Sequence, residues 1–183
     1  MRKRFEPHVA LLRGINVGGA NIVRMAALRA SFEALGLRDV STYIQSGNVL
    51  FSTDVDPSRL CRRVETALST QFGYQATVAL RSRPQMRRIV ERAPDGFGTD
   101  PARYRYDVVF LKEPLSARDV LPSIPTRDGV DTAYAGDGVI YFARLVQRAS
   151  QSYLSRIISL PEYKRMTIRN WNTTTRLLKM MQP

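Results

Sequence analysis

The run His8-Val9-Ala10-Leu11-Leu12 passes without a break into Arg13-Gly14-Ile15-Asn16-Val17-Gly18-Gly19-Ala20-Asn21, and this junction decides the architecture. HVALL is almost wholly apolar, the pattern of a strand buried on both faces rather than of a half-exposed one. The glycines that follow end the strand and open a loop. Beyond the loop, Met25, Leu28, Phe32 and Leu35 recur at three- and four-residue spacing up to Gly36, which predicts an amphipathic helix with a C-terminal glycine. Thr42-Tyr43-Ile44 and Val49-Leu50-Phe51 are β-prone, and Gln45-Ser46-Gly47-Asn48 between them is turn material, so a hairpin comes next.

A second helix is marked at its start by Asp56 as N-cap with Pro57 at the first helical position. Leu60, Val64 and Leu68 form its stripe, and Gly73 ends it. Gln75 to Leu80 (QATVAL) supplies another strand. The order β-α-β-β-α-β is that of a ferredoxin-like unit. It recurs. After a helix over Pro84 to Arg92 and a Pro/Gly-rich stretch, Tyr106 to Leu111 repeats the buried-strand pattern, and a short helix begins after Ser116. Tyr134 to Phe142 matches Tyr43 to Phe51 at an offset of 91, placing Gly47 on Gly138 and Phe51 on Phe142. Ser152 to Leu160 is expected as a helix, Met166 and Ile168 as part of a short strand, and Asn172 as the cap of a last helix running to Met181. The expected fold is α+β: two tandem ferredoxin-like βαββαβ units with a C-terminal helix. Residues 1–82 form the first unit, 83–105 a linker helix and loop, and 106–183 the second unit with its helix.

With 183 residues, 44% hydrophobic and 24% charged, the chain has the composition of a globular protein, not of a disordered or fibrous one. One cysteine, Cys61, and one histidine, His8, allow neither an internal disulfide nor a Cys/His zinc site, and no metal or cofactor is expected. No apolar run reaches the roughly 18 residues of a membrane span, and the start Met1-Arg2-Lys3-Arg4 lacks an apolar signal core. The expected compartment is the cytoplasm.

The net charge is +12, with Arg outnumbering Lys 24 to 4. From Val139 onward stand eight basic residues (Arg144, Arg148, Arg156, Lys164, Arg165, Arg169, Arg176, Lys179) against the single acid Glu162. Such a stripe neutralises phosphates in a nucleic-acid binder, or it is a solvated surface; charge alone carries no geometry, which favours the surface.

In the expected topology the first and second strands run the same way, and the first and third are neighbours. The loop after the first strand therefore sits beside the hairpin turn. Gly14, Gly18 and Gly19 permit left-handed dihedrals and an amide-lined concavity for an anion, with Arg13 adding charge and Asn16 and Asn21 polarity. Gln45, Ser46 and Asn48 face it, although these are also what any hairpin turn uses. No Gly-Lys-Ser/Thr follows, and Gly14-x-x-x-Gly18-Gly19 lacks the dinucleotide spacing, so neither phosphate motif is present. A second polar cluster is Arg169, Asn170, Trp171 and Asn172: the tryptophan anchors a core there, or stacks on a base. A small anionic ligand is the leading expectation. Nucleic acid and a non-catalytic oligomer module are its rivals, and no reaction is assigned. His8, Cys61 and the sparse acids mark no catalytic group, and Asp107 and Asp137 are left unassigned.

Three segments, Leu11 to Gly19, Tyr43 to Val49 and Thr167 to Thr173, resemble as an ordered set the bacterial family called domain of unknown function 1697, over nearly the whole chain. The resemblance implies a small α+β protein of two ferredoxin-like halves and implies no activity. Ala20 stands where the family is expected to carry Lys.

Overall fold

A computed structural model describes residues 5–19 and 21–181; Ala20 and the basic start through Arg4 lie outside the described residues. The fold is mixed α+β with two four-stranded antiparallel sheets. The described residues cluster into two compact units, one of those up to Pro84 together with 177–181 and one from Gln85–Arg176. The last turn of the C-terminal helix, expected with the second half, thus belongs to the first.

In the first unit β1 (Glu6–Leu12) is followed by α1 (Met25–Ala34), β2 (Arg38–Tyr43), β3 (Asn48–Thr53), α2 (Pro57–Phe72) and β4 (Val78–Ser82), and the sheet order is β2-β3-β1-β4. β1 pairs with β3 through His8↔Phe51, Val9↔Leu50 and Leu11↔Asn48, which makes it an interior strand. Val9, Ala10, Leu11 and Leu12 are all buried, so both faces of β1 are covered as HVALL predicts. Leu28 and Phe32 of α1 and Leu60, Val64 and Leu68 of α2 pack on one face with Ala10, Leu12, Val49 and Phe51. Each fully buried side chain of this size contributes about 1.5–3 kcal/mol.

Local chemistry sets the ends of the elements. Asp56 Oδ1 accepts from the amides of Ser58 (3.0 Å) and Arg59 (3.2 Å), and Gly73 closes α2 at φ 68°. β4 starts at Val78 rather than at Gln75, and α2 side chains take amides both before the strand and at its first residue. Ala76 N–H donates to Ser69 Oγ (3.0 Å) and Val78 N–H to Glu65 Oε1 (2.8 Å).

The second unit follows from α3 (Arg83–Glu91), whose beginning lies in the first. It comprises β5 (Tyr104–Leu111), α4 (Ala117–Val120), β6 (Asp131–Ala135), β7 (Val139–Leu145), β8 (Met166–Asn170) and the start of α5 (Trp171–Met180), with sheet order β6-β7-β5-β8. Val109, Leu111, Ile140, Phe142, Ile157 and Met166 form its core. Two expectations need correction here. The helix expected over Ser152 to Leu160 is instead a series of 3₁₀ segments, with Leu154–Ser159 followed by Pro161–Arg165. Serine side chains compete for the backbone there: Ser152 Oγ accepts from Leu154 N–H (3.2 Å) and Ser159 Oγ donates to Arg156 O (2.7 Å). Pro161 then denies the chain a longer α-helix. The cap of α5 is Asn170, not Asn172, since Asn170 Oδ1 accepts from Thr173 N–H at 2.7 Å.

Candidate functional site

The loop after β1 and the turn between β2 and β3 are stitched together by one side chain. Asn16 Nδ2 donates to Gln45 O (2.9 Å) and Val23 O (3.0 Å), and Asn16 Oδ1 accepts from Val23 N–H (2.8 Å). Leu12 N–H donates to Gly47 O at 2.8 Å, and Asn21 Nδ2 to Gly14 O at 2.9 Å. Left-handed backbone makes these contacts possible at Gly14 (φ 67°), Asn16 (54°), Gly18 (58°), Gly19 (79°) and Asn21 (48°). The glycine-rich loop and the hairpin turn are therefore brought to one rim of the first unit.

They do not all face outward. Asn48 is fully buried and donates from Nδ2 to Tyr43 O and Ser46 Oγ, both 3.0 Å, closing the hairpin from within. Asn16, Asn21 and Asn48 are braces. Gly14, Gly18, Gly19 and Gln45 are exposed, and Arg13 and Ser46 are half-buried. The Arg13 amide is anchored to Thr77 O at 2.9 Å, which sets where its side chain leaves the strand end. Three exposed apolar side chains flank the same stitch: Val17 (65% exposed), Ile22 (76%) and Ile44 (50%). Ile44 holds φ 48°, a conformation that costs a β-branched residue about 1–2 kcal/mol.

The second cluster divides. Arg169 is buried, with Nη1 donating to Thr167 Oγ1 (2.8 Å) and Ile168 O (2.9 Å), and desolvation lowers its pKa to about 10. It is no surface partner for a stacked base. Asn170 caps α5, Asn172 is exposed, and Trp171 is half-buried, edge-on to Phe97 with centroids 5.2 Å apart. The basic stripe is also partly spent. Arg144 stands against Asp107, Arg148 bonds Gln151 and Gly129 O, and Arg156 lies over the Tyr153 ring at 3.5 Å.

Of the groups left unassigned, Asp137 pairs with Arg88 (2.9 Å) and Asp107 is buried beside Arg144. His8 is buried with Nδ1 2.9 Å from Glu6 O and its ring stacked on Phe51, and Cys61 Sγ donates to Val78 O at 3.4 Å. Among the described residues no three His, Cys, Asp or Glu side chains group to hold a metal ion, and no helix is long and apolar enough to cross a membrane.

The model of the family described as "Protein of unknown function (DUF1697)" matches residues 5–141. The solved structure of a conserved bacterial protein, SP0830 from Streptococcus pneumoniae, is similar over 98% of this chain and 100% of its own, at 28% identity and a TM-score of 0.86. No curated protein matches.

Proposed function

Because the chain belongs to the DUF1697 family of proteins of unknown function, which assigns it no activity, we propose from its geometry that it binds a small phosphate- or carboxylate-bearing ligand at the rim of the first unit. The observation that carries this reading is the Asn16–Gln45 bond of 2.9 Å, which joins the glycine-rich loop to the hairpin turn. Arg13 supplies the charge, the exposed backbone at Gly18 and Gly19 approaches the anion closely, and Gln45 and Ser46 orient it. Asn16, Asn21 and Asn48 hold the rim rather than touch the ligand. Val17, Ile22 and Ile44 favour a ligand with an apolar part beside its anionic group, and the strained backbone of Ile44 is of the kind that concentrates at working sites.

Each unit is read further as ferredoxin-like, and the chain as two tandem copies. Two features support this. The sheet orders β2-β3-β1-β4 and β6-β7-β5-β8 correspond strand for strand. The bond from Leu12 N–H to Gly47 O (2.8 Å) also recurs as Leu111 N–H to Gly138 O (3.0 Å).

The test is a thermal-shift panel of inorganic phosphate, pyrophosphate, sugar phosphates and small carboxylates on wild type and Arg13→Ala. At least one anion class raises the wild-type melting temperature, and the substitution abolishes the rise. A panel without effect, or a rise that Arg13→Ala leaves intact, would refute the site.

A further inference from the structure

Of the six large hydrophobic residues that lie exposed among the described residues, three stand on the rim of the first unit: Val17, Ile22 and Ile44. Their neighbours turn inward. Ile15 and Val23 are buried in the core of the unit, so the loop is packed in place and Val17 and Ile22 are left outside it. The three exposed side chains leave segments that meet at one brace. Val17 follows Asn16, while Ile22 and Ile44 each precede a residue that bonds the Asn16 side chain: Val23 through its N–H and carbonyl, Gln45 through its carbonyl. Ile44 keeps its place at φ 48°, where glycine would sit without strain. Apolar side chains clustered in the open mark a surface that meets a protein or a membrane.

Charge and backbone chemistry choose between these. Residues 13–32 and 40–53, which carry the loop and the hairpin turn, contain no acid, whereas Arg13 and Arg24 belong to the first stretch and the chain as a whole is +12. An anionic surface is the complement. The backbone of the rim is also provided for from within: Asn16 and Asn21 donate to the carbonyls of Gly14, Val23 and Gln45, and Asn16 accepts from the Val23 amide. Those groups need no water when the tip enters a lipid interface. Aliphatic side chains offer no ring on which a nucleobase could stack.

We propose that this rim docks on the surface of an anionic lipid bilayer. Val17, Ile22 and Ile44 enter the boundary between headgroups and acyl chains, and Arg13 and Arg24 lie among the lipid phosphates. The proposal goes beyond the small-ligand reading of the same rim and does not depend on it, because a layer of lipid covers all three side chains at once without a pocket.

The full chain is sedimented with vesicles of phosphatidylglycerol and phosphatidylcholine in equal parts. A chain of this charge adheres to anionic surfaces in any case, so the discriminating substitution leaves the charge alone. Wild type partitions onto the vesicles, Ile22→Ser weakens the partition roughly tenfold, and Ile22→Leu binds as wild type does. Circular dichroism checks folding, and Val17→Ser replaces Ile22→Ser, with a loss in the same direction, if that variant does not fold. The proposal is overturned if wild type stays in the supernatant, if the folded serine variant partitions as tightly as wild type, or if light scattering shows a dimer that Ile22→Ser dissociates, which would make a second copy the occupant. A wild type that responds to soluble anions but not to vesicles refutes this proposal alone. Vesicle binding that Ile22→Ser weakens, beside a silent anion panel, refutes the small-ligand reading alone.

Discussion

Gly47 shows at a single residue how the rim is built. At φ 75°, a Cβ on it would lie 2.8 Å from both Ile15 Cδ1 and Leu12 Cβ. Gly47→Ala therefore combines left-handed strain with overpacking, and we expect a loss of about 2–5 kcal/mol in urea unfolding. A loss under 1 kcal/mol would show that Ile15 moves freely and that the rim is not rigid. Asn16 illustrates what was not legible. Its residue type suits a polar ligand contact as well as a brace, and only the partners Val23 and Gln45, far apart in sequence, decide between them. For the same reason Asp107 carried no local signal. Its neighbours Arg144 and Asn170 arrive from β7 and β8, and no spacing along β5 announces them.

Elements were legible where their chemistry is local. Asp56-Pro57 at the start of α2 and Gly73 at its end fix that helix through caps that need no tertiary partner. The apolar run of β1 and the hairpin flanking Gly47 are local in the same sense. The segment from Ser152 to Leu160 failed as a helix because periodicity counts Leu154, Ile157 and Ile158 but not the serines that bond the backbone in their place. The cap of α5 lies two residues before the expected one: Asn170 and Asn172 are equal as caps by residue type, and the end of β8 selects the first. Asn170→Ala should accordingly cost about 1 kcal/mol in chemical denaturation, through the lost bond to Thr173 N–H, and Asn172→Ala should cost close to nothing. Equal losses at both positions would count against this assignment of the cap.

On the scale of the whole molecule, the net charge is +12, and exposed i,i+4 pairs such as Arg29–Glu33 and Arg87–Glu91 offset little of it. Self-repulsion then dominates the salt response. Raising ionic strength from about 10 mM to about 150 mM should raise the melting temperature by a few degrees, read by differential scanning calorimetry in a non-binding salt such as sodium chloride. A fall would mean that attractive pairs outweigh the repulsion. The grouping of Leu177 and Met181, both buried, with the first unit bears on how the protein is made. At roughly 5–20 residues per second on the ribosome, the roughly one hundred residues after Pro84 take on the order of 5–20 s to translate. Throughout that interval the earlier-made unit waits for its closing piece, with an apolar surface that chaperones can engage.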